Sequence, residues 1–397
     1  MQTLPLSNSQ FNIANVVCII SWSAFETPSN ILLKKFRPSR WMAFLMLSWG
    51  AVTLAHAAVH DYKSLYALRF LLGAAEAGVF PGLVYFLTFW YKPSERLLRI
   101  AIIFATATAA GAFGGALAYG IGNLDGLSGL EGWRWLFILE GLPCCVCAVL
   151  VFLIMPDFPE TAKWLSPEEK ELAVKRLQGL ASTKAAKVTW AEAKKTLRDW
   201  RLYFHYVSYI CIAAPFASIA LFSPSIVGGL GYEGLRAQLF TIPPYATAYL
   251  VTLCVALSAE RYNARSLHAS ACMLAGSLGF LIQAILPPAS FKARYAMLCL
   301  AAAGTFSSIP QLLAWLTINL HSTAAIGLAV ALNITFSGPG QVVGTWIYRQ
   351  SDAPRYRSGH LINFAVLLFG AVVVQGLRLY YVWKNKRLAA GQIPFLL

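Results

Sequence analysis

WRWLFILEGLPCCVCAVLVFLIMPDFPETAKWL, residues 133–165, changes character once, just after Met155. Up to that point the run carries one cation, Arg134, and one acid, Glu140; beyond it Asp157, Glu160 and Lys163 follow in quick succession. A helix that crosses a bilayer needs about 20 mostly apolar residues, so 133–155 is predicted to span one. Trp133 and Trp135 stand where interfacial anchors belong. Cys144, Cys145 and Cys147 lie inside the run and read as small hydrophobes.

Working outward, the same alternation recurs along the chain. Hydrophobic residues make up 58% of the 397 positions and charged ones 12%, with mean hydropathy +0.59. A soluble domain carries about 25% charged residues to wet its surface, so a water-soluble globule is excluded. Eleven spans are predicted: 11–33, 41–60, 65–91, 97–122, 133–155, 201–226, 238–259, 267–287, 293–317, 324–347 and 359–383. Several contain Pro or Gly, which bundles tolerate because neighbours satisfy the freed backbone groups. Met1–Gln10 is polar and lacks a basic n-region, so no signal peptide is expected.

The net charge of +15 sits in the loops. With the Lys34–Arg40 loop placed in the cytoplasm, the inside loops collect 22 of the 32 basic residues and the outside loops eight. That bias orients the chain with its C-terminus inside. It also accounts for the charge without nucleic acid, for which no basic, aromatic-laced soluble surface exists. The fold class is therefore all-α integral membrane. An N-terminal bundle of five helices covers 1–155, a cytoplasmic linker covers 156–200, and a C-terminal bundle of six helices with a short basic tail covers 201–397. The linker reads as two short amphipathic helices, opened by capping boxes at Ser166-Pro167-Glu168-Glu169 and Thr189-Trp190-Ala191-Glu192.

Charged groups inside spans are costly, roughly 2.5–3.5 kcal/mol for Asp, Lys or Arg, which makes them functional candidates. Three acids qualify: Glu26, Glu76 and Glu140. Glu76 lies near the middle of its span, where a carboxyl that gains and loses a proton would serve a proton-coupled carrier; the alternative is a permanent polar partner that locks helices together. Arg69 precedes it by two turns, about 10.5 Å along the axis, too far for easy pairing. Arg69 is left to meet another helix, snorkel outward or face an anionic substrate. Glu26 reads as a gate or packing carboxylate near the inner end, Glu140 as part of an ion pair at the outer end. The second bundle offers polar and aromatic groups, of which Tyr206, Gln311, Trp315 and Asn333 are candidate substrate contacts against a background of packing roles. Pro215, Pro310, Pro243-Pro244 and Gly338-Pro339-Gly340 are expected to kink or break helices and expose backbone to a cavity.

Other signals are rejected. His56 and His60 have helical i, i+4 spacing but lack further ligands, so no metal is expected. Asn333-Ile334-Thr335 matches a glycosylation pattern inside a predicted helix. No Walker loop or GxSxG elbow is present, so no cofactor and no enzyme are expected.

Five spans, a charged linker and six spans resemble the six-plus-six plan of the major facilitator superfamily. Local stretches resemble its fungal allantoate permease family of anion:cation symporters. They are Glu26-Thr27-Pro28-Ser29-Asn30 with Lys34 to Trp41, and Arg69-Phe70-Leu71-Leu72-Gly73 with Glu76 to Gly82. Gly132-Trp133-Arg134-Trp135 leading to Glu140-Gly141 follows, then Pro156-Asp157-Phe158-Pro159-Glu160 with Lys163-Trp164-Leu165. The second half adds Gly229 to Tyr232, Pro243-Pro244-Tyr245, Ser308-Ile309-Pro310 and Tyr348 to Tyr356. Together they cover nearly the whole chain from about residue 10. The resemblance implies a secondary transporter, often proton-coupled, for small organic anions, vitamins or peptides, acting as a monomer in the plasma membrane.

Two departures accompany it. The family's first helix, with its polar Asp-Arg-Thr-Asn type segment, has no counterpart here, which leaves five spans before the linker. Ser258-Ala259-Glu260-Arg261 replaces the usual Asp-Arg pairing, with Glu260 still supplying a carboxylate. Because the family's first helix lines the central cavity, a second reading stays open: a shortened paralogue acting as a membrane sensor or without activity.

Overall fold

Ser7 opens the first helix of the computed structural model. Its hydroxyl accepts from the Gln10 amide at 3.2 Å and its own amide donates to Gln10 Oε1 at 2.9 Å, a reciprocal cap that satisfies two otherwise orphaned donors. The structure describes residues 7–92, 95–121, 124–177, 190–231, 235–287, 289–320, 323–388 and 394–396. Among these there are helices, turns and no strand. In chain order the α-helices are α1 (Asn8–Lys35), α2 (Pro38–His56), α3 (Tyr62–Glu76), α4 (Val79–Trp90), α5 (Arg96–Ile121), α6 (Gly132–Ile154), α7 (Pro167–Leu177) and α8 (Trp190–Leu197). They continue with α9 (Trp200–Gly228), α10 (Leu235–Leu239), α11 (Ile242–Arg261), α12 (Arg265–Ile285), α13 (Phe291–Ile318), α14 (Thr323–Thr335), α15 (Gly338–Trp346) and α16 (Arg357–Asn385).

Among the described residues, ten helical stretches are long and apolar enough to cross a membrane. The sequence reading has eleven. The remaining stretch, 41–60, is helical as α2, but its 19 residues include Arg40, Ser48, Thr53 and His56 and are less apolar than the other ten. Three spans are broken: α3 and α4 are separated by Ala77-Gly78, α10 and α11 by Phe240-Thr241, and α14 and α15 by Phe336-Ser337. The prolines meet the expectation in part: Gly338-Pro339-Gly340 opens α15 directly after one of these breaks. α9 runs unbroken through Pro215 and Pro224, and α13 through Pro310, while Pro243 and Pro244 occupy the first turn of α11, where a missing N–H costs nothing.

Contacts divide the chain into two units. One comprises Met1–Pro93, Gly120–Arg198 and Leu320–Thr335; the other Ser94–Tyr119, Asp199–Asn319 and Phe336–Leu397. In the first unit α1 packs on α3 and α2 on α6, and α14 lies against α1, α4 and α8. In the second unit α11 packs on α13 and α12 on α16, the same pairing repeated, and α9 packs against α13, α15 and α16. α5 joins this unit through Phe104, 6.3 Å from both Phe216 and Phe306. In the first unit α2 runs opposite to α1, to the α3–α4 span and to α6. Ala14, Val59, Leu65 and Trp133 meet at one end of the first unit, and Leu33, Met42, Tyr85, Phe89 and Val151 at the other.

The linker begins as an extension of that second end. Phe158 packs on Phe89 at 5.1 Å and Trp164 stacks on Trp90 at 5.6 Å, while Asp157 accepts from the Ser39 amide at 2.9 Å at the start of α2. The Ser166 capping box forms: Glu169 accepts from the Ser166 amide at 2.8 Å and its own amide donates to Ser166 Oγ at 3.2 Å. The Thr189 box lies outside the described residues.

Candidate functional site

Glycine brings α1 and α3 together. A Cβ at Gly73 would collide with the Cys18 carbonyl and stand 2.9 Å from the Trp22 nitrogen, and one at Gly78 would strike Ser29. This close approach sets Cys18 beside Arg69 and Glu76: Arg69 hydrogen-bonds the Cys18 side chain, and the Glu76 charge acts on the same thiol. Glu76 is the last residue of α3, half-buried at the break before α4. Its electrostatic partner is Arg69, yet among the described residues it forms no ion pair and no hydrogen bond. The Arg69 Nε–H is buried without an acceptor. A guanidinium with a spare donor at membrane depth is suited to an anion.

Glu26 is fully buried. Thr335 Oγ1 donates to its Oε2 at 3.4 Å and lies 3.3 Å from Thr27 Oγ1, while Oε1 has no partner. One turn along α1, the Asn30 amide donates to the Gly327 carbonyl at 3.0 Å. A polar patch of α1 therefore faces α14, with Asn333 of α14 also buried and its Oδ1 unpartnered. Glu140 has a different place from the one expected. It is exposed on α6 among exposed Leu139, Leu142 and Val146, and the nearby ion pair is instead Arg134 with Glu131, at 3.4 Å.

The candidates of the second unit do not converge either. Tyr206 stacks on Phe336 at 5.1 Å. Gln311 is fully buried with both amide atoms unpartnered, the environment of a group awaiting a ligand or water. Trp315 donates its indole N–H to the Leu396 carbonyl at 2.9 Å, so the chain's own tail already holds it. His56 and His60 turn to separate partners, the Val52 carbonyl at 2.8 Å and Arg134 at 3.3 Å. Among the described residues no cluster of His, Cys, Asp or Glu could hold a metal ion.

The sequence reading missed Thr27, Asn30 and Thr335. Thr335 is 309 residues from Glu26, and its only signal was the glycosylation pattern set aside above.

The sequence model of the Major Facilitator Superfamily matches residues 1–345. The chain belongs to that superfamily. Among curated relatives it is 50% identical over 385 residues to MFS transporter prlL of Fungal sp. (strain NRRL 50135), covering 96% of this chain and 78% of that one. MFS-type transporter efuF of Hormonema carpetanum is 30% identical over 386 residues, 97% and 78%. A candidate tartrate transporter of Agrobacterium vitis is 31% identical over 278 residues, 70% and 61%. The fold is shared with the xylose transporter XylE from E. coli in a partially occluded inward open conformation. The TM-score is 0.71 at 11% identity, over 93% of this chain and 88% of that one. The chain is thus a multi-pass major facilitator protein, and its relatives are transporters rather than enzymes.

Proposed function

We propose that the chain is a proton-coupled secondary carrier of the anion:cation symporter kind resembled by its sequence. It would move a small organic anion across the membrane by alternating access. The observation that carries this reading is the arrangement on α3. Arg69 and Glu76 act on each other through space and neither is tied into an ion pair among the described residues; across the glycine-lined crossing with α1, Arg69 hydrogen-bonds Cys18 and the Glu76 charge acts on the same thiol. An anionic solute then competes with the Glu76 carboxylate for the Arg69 guanidinium. Protonating Glu76 removes the competitor, so proton and anion bind together and leave together. The name of the Agrobacterium vitis relative, a tartrate transporter candidate, fits a carboxylate substrate. Glu26 and its threonine partners serve as the second acidic group, packing α1 on α14 as the cycle proceeds.

The experiment is uptake of a panel of small mono- and dicarboxylates into vesicles holding the purified protein, with and without an inward proton gradient. The wild type accumulates at least one solute when the gradient is present. Arg69→Gln lowers that uptake by at least about tenfold, and Glu76→Gln leaves exchange but removes the response to the gradient. Solute flux that ignores the gradient in both wild type and Glu76→Gln would overturn the proton role. No flux of any solute would favour the sensor reading.

A further inference from the structure

The α16 helix does not end the described chain. Residues 394–396 return to the end of the second unit and lie across α9, α13 and α16. Two asparagines read their backbone. Asn385 Nδ2 donates to the Phe395 carbonyl at 2.7 Å while its Oδ1 accepts from the Phe395 amide at 2.8 Å. Asn319 Nδ2 donates to the Leu396 carbonyl at 3.0 Å while its Oδ1 accepts from the Leu396 amide at 2.9 Å. Trp315 Nε1 adds a second donor to that carbonyl at 2.9 Å. Each side-chain amide thus pairs with a peptide unit as a neighbouring strand would, and no backbone polar atom of either residue is left unmade.

The side chain of Phe395 is read as well. Its ring stacks on Tyr381 at 4.6 Å with 11° between planes, and the Arg201 guanidinium covers it at 4.8 Å. Arg201 is itself aimed by Asp199, whose Oδ1 accepts from its Nε at 2.7 Å. Trp315 is fixed between His205 at 4.6 Å and Tyr381 at 5.5 Å. A tail lying loosely on a surface would not meet five positioned side chains from three helices. Backbone pairing by side-chain amides plus one aromatic pocket is the pattern by which proteins capture extended peptides. The two residues flanking Phe395, Pro394 and Leu396, are exposed, so one ring and its neighbouring peptide groups hold the strand.

We propose that Arg201, Trp315, Asn319, Tyr381 and Asn385 form a peptide-recognition site for an extended segment with an aromatic residue. Its occupant is the chain's own Pro394–Leu396, a detachable strap across the ends of α9, α13 and α16. While bound, the strap ties the end of α13, and with it Trp315, to the two flanking helices; detached, it releases that end to move and opens the site to a segment in trans. This proposal is independent of which solute is carried.

The test uses the purified protein ending at Arg387, the intact chain, and a fluorescent peptide of residues 389–397. The peptide binds the shortened protein saturably, at least about tenfold more tightly than the intact chain, whose site is filled. Replacing Phe395 by Ala in the peptide, or Asn385→Ala in the protein, weakens binding by about tenfold or more. Equal binding to both proteins, or binding indifferent to Phe395, would overturn the proposal, since both describe partition into the detergent belt. Should the shortened protein fail to fold, hydrogen exchange on the intact chain decides. The Phe395 and Leu396 amides exchange about tenfold or more slowly than in the free peptide and lose that protection in Asn385→Ala; fast exchange in the wild type overturns the strap.

Discussion

Glu26 keeps a carboxylate deep in the first unit with one donated hydrogen bond, from Thr335, and one oxygen unpaired. Glu26→Gln preserves size and the Thr335 contact while removing the ionisable group, so the thermal unfolding midpoint in detergent should stay at the wild-type value or rise. Glu26→Ala leaves a void and takes one of the Thr335 hydroxyl's two partners, leaving it Thr27, at a cost of about 2 kcal/mol; an alanine variant as stable as the wild type would contradict this packing. The identity of the intramembrane acids was legible from one-letter sequence, because charge at bilayer depth is rare. Their surroundings were not. Glu140 sits two turns past its tryptophans, as a pair-former would, yet it is on the exposed side of α6, a property of helix rotation that spacing to an anchor does not fix. Trp315 looked like a substrate contact because it is an aromatic inside a span; its partner is a tail carbonyl 81 residues away.

At the scale of elements, the α1–α3 crossing depends on Gly73. Gly73→Leu forces a side chain into the α1 backbone, and overpacking of this kind costs about 1–3 kcal/mol. The unfolding midpoint should fall, and Cys18 should react faster with a maleimide in the mutant than in the wild type. Equal rates would show that the crossing does not depend on the glycine. The start of α3 carries a second test. The Ser64 hydroxyl, then its amide at 2.9 Å, hold the Asp61 carboxyl below its ordinary range. A lowered folded value means the cap contributes fully above the unfolded carboxylate pKa of about 3.9 and is lost as pH falls through the lower folded value. Protection of the Tyr62–Leu65 amides should therefore hold between about pH 5 and 7 and decline as the pH falls below the unfolded carboxylate value of about 3.9, and Asp61→Asn should flatten that decline. Spans and the Ser166 capping box were readable in advance, since length and cap residues are local, whereas the boxes at Ser7 and Asp61 were not singled out. Breaks were readable in part. The interruptions at Phe240-Thr241 and Phe336-Ser337 stand just before Pro243-Pro244 and Gly338-Pro339-Gly340, whereas α9 and α13 absorb their prolines and the break at Ala77-Gly78 carried no proline signal.

Over the whole molecule, alternation of apolar runs with basic loops is enough to order the helices. Within the first unit the residues near 14, 59, 65 and 133 share one end, and those near 33, 42, 89 and 151 the other, as the loop charges require. Packing regroups the helices across sequence order: α5 is held in the second unit by Phe104, and α14 in the first by the hydrogen bonds to Glu26 and Asn30. Neither is signalled by hydropathy. The central claim is that the Arg69–Glu76 surroundings open to each face of the membrane in turn, and Cys18 is a native reporter placed there. With the other seven cysteines replaced, sealed vesicles of known orientation can be treated with a membrane-impermeant thiosulfonate on one face at a time. The account predicts that Cys18 is modified from both faces, with acid pH on one side changing the two rates in opposite directions. Modification from one face only would contradict it.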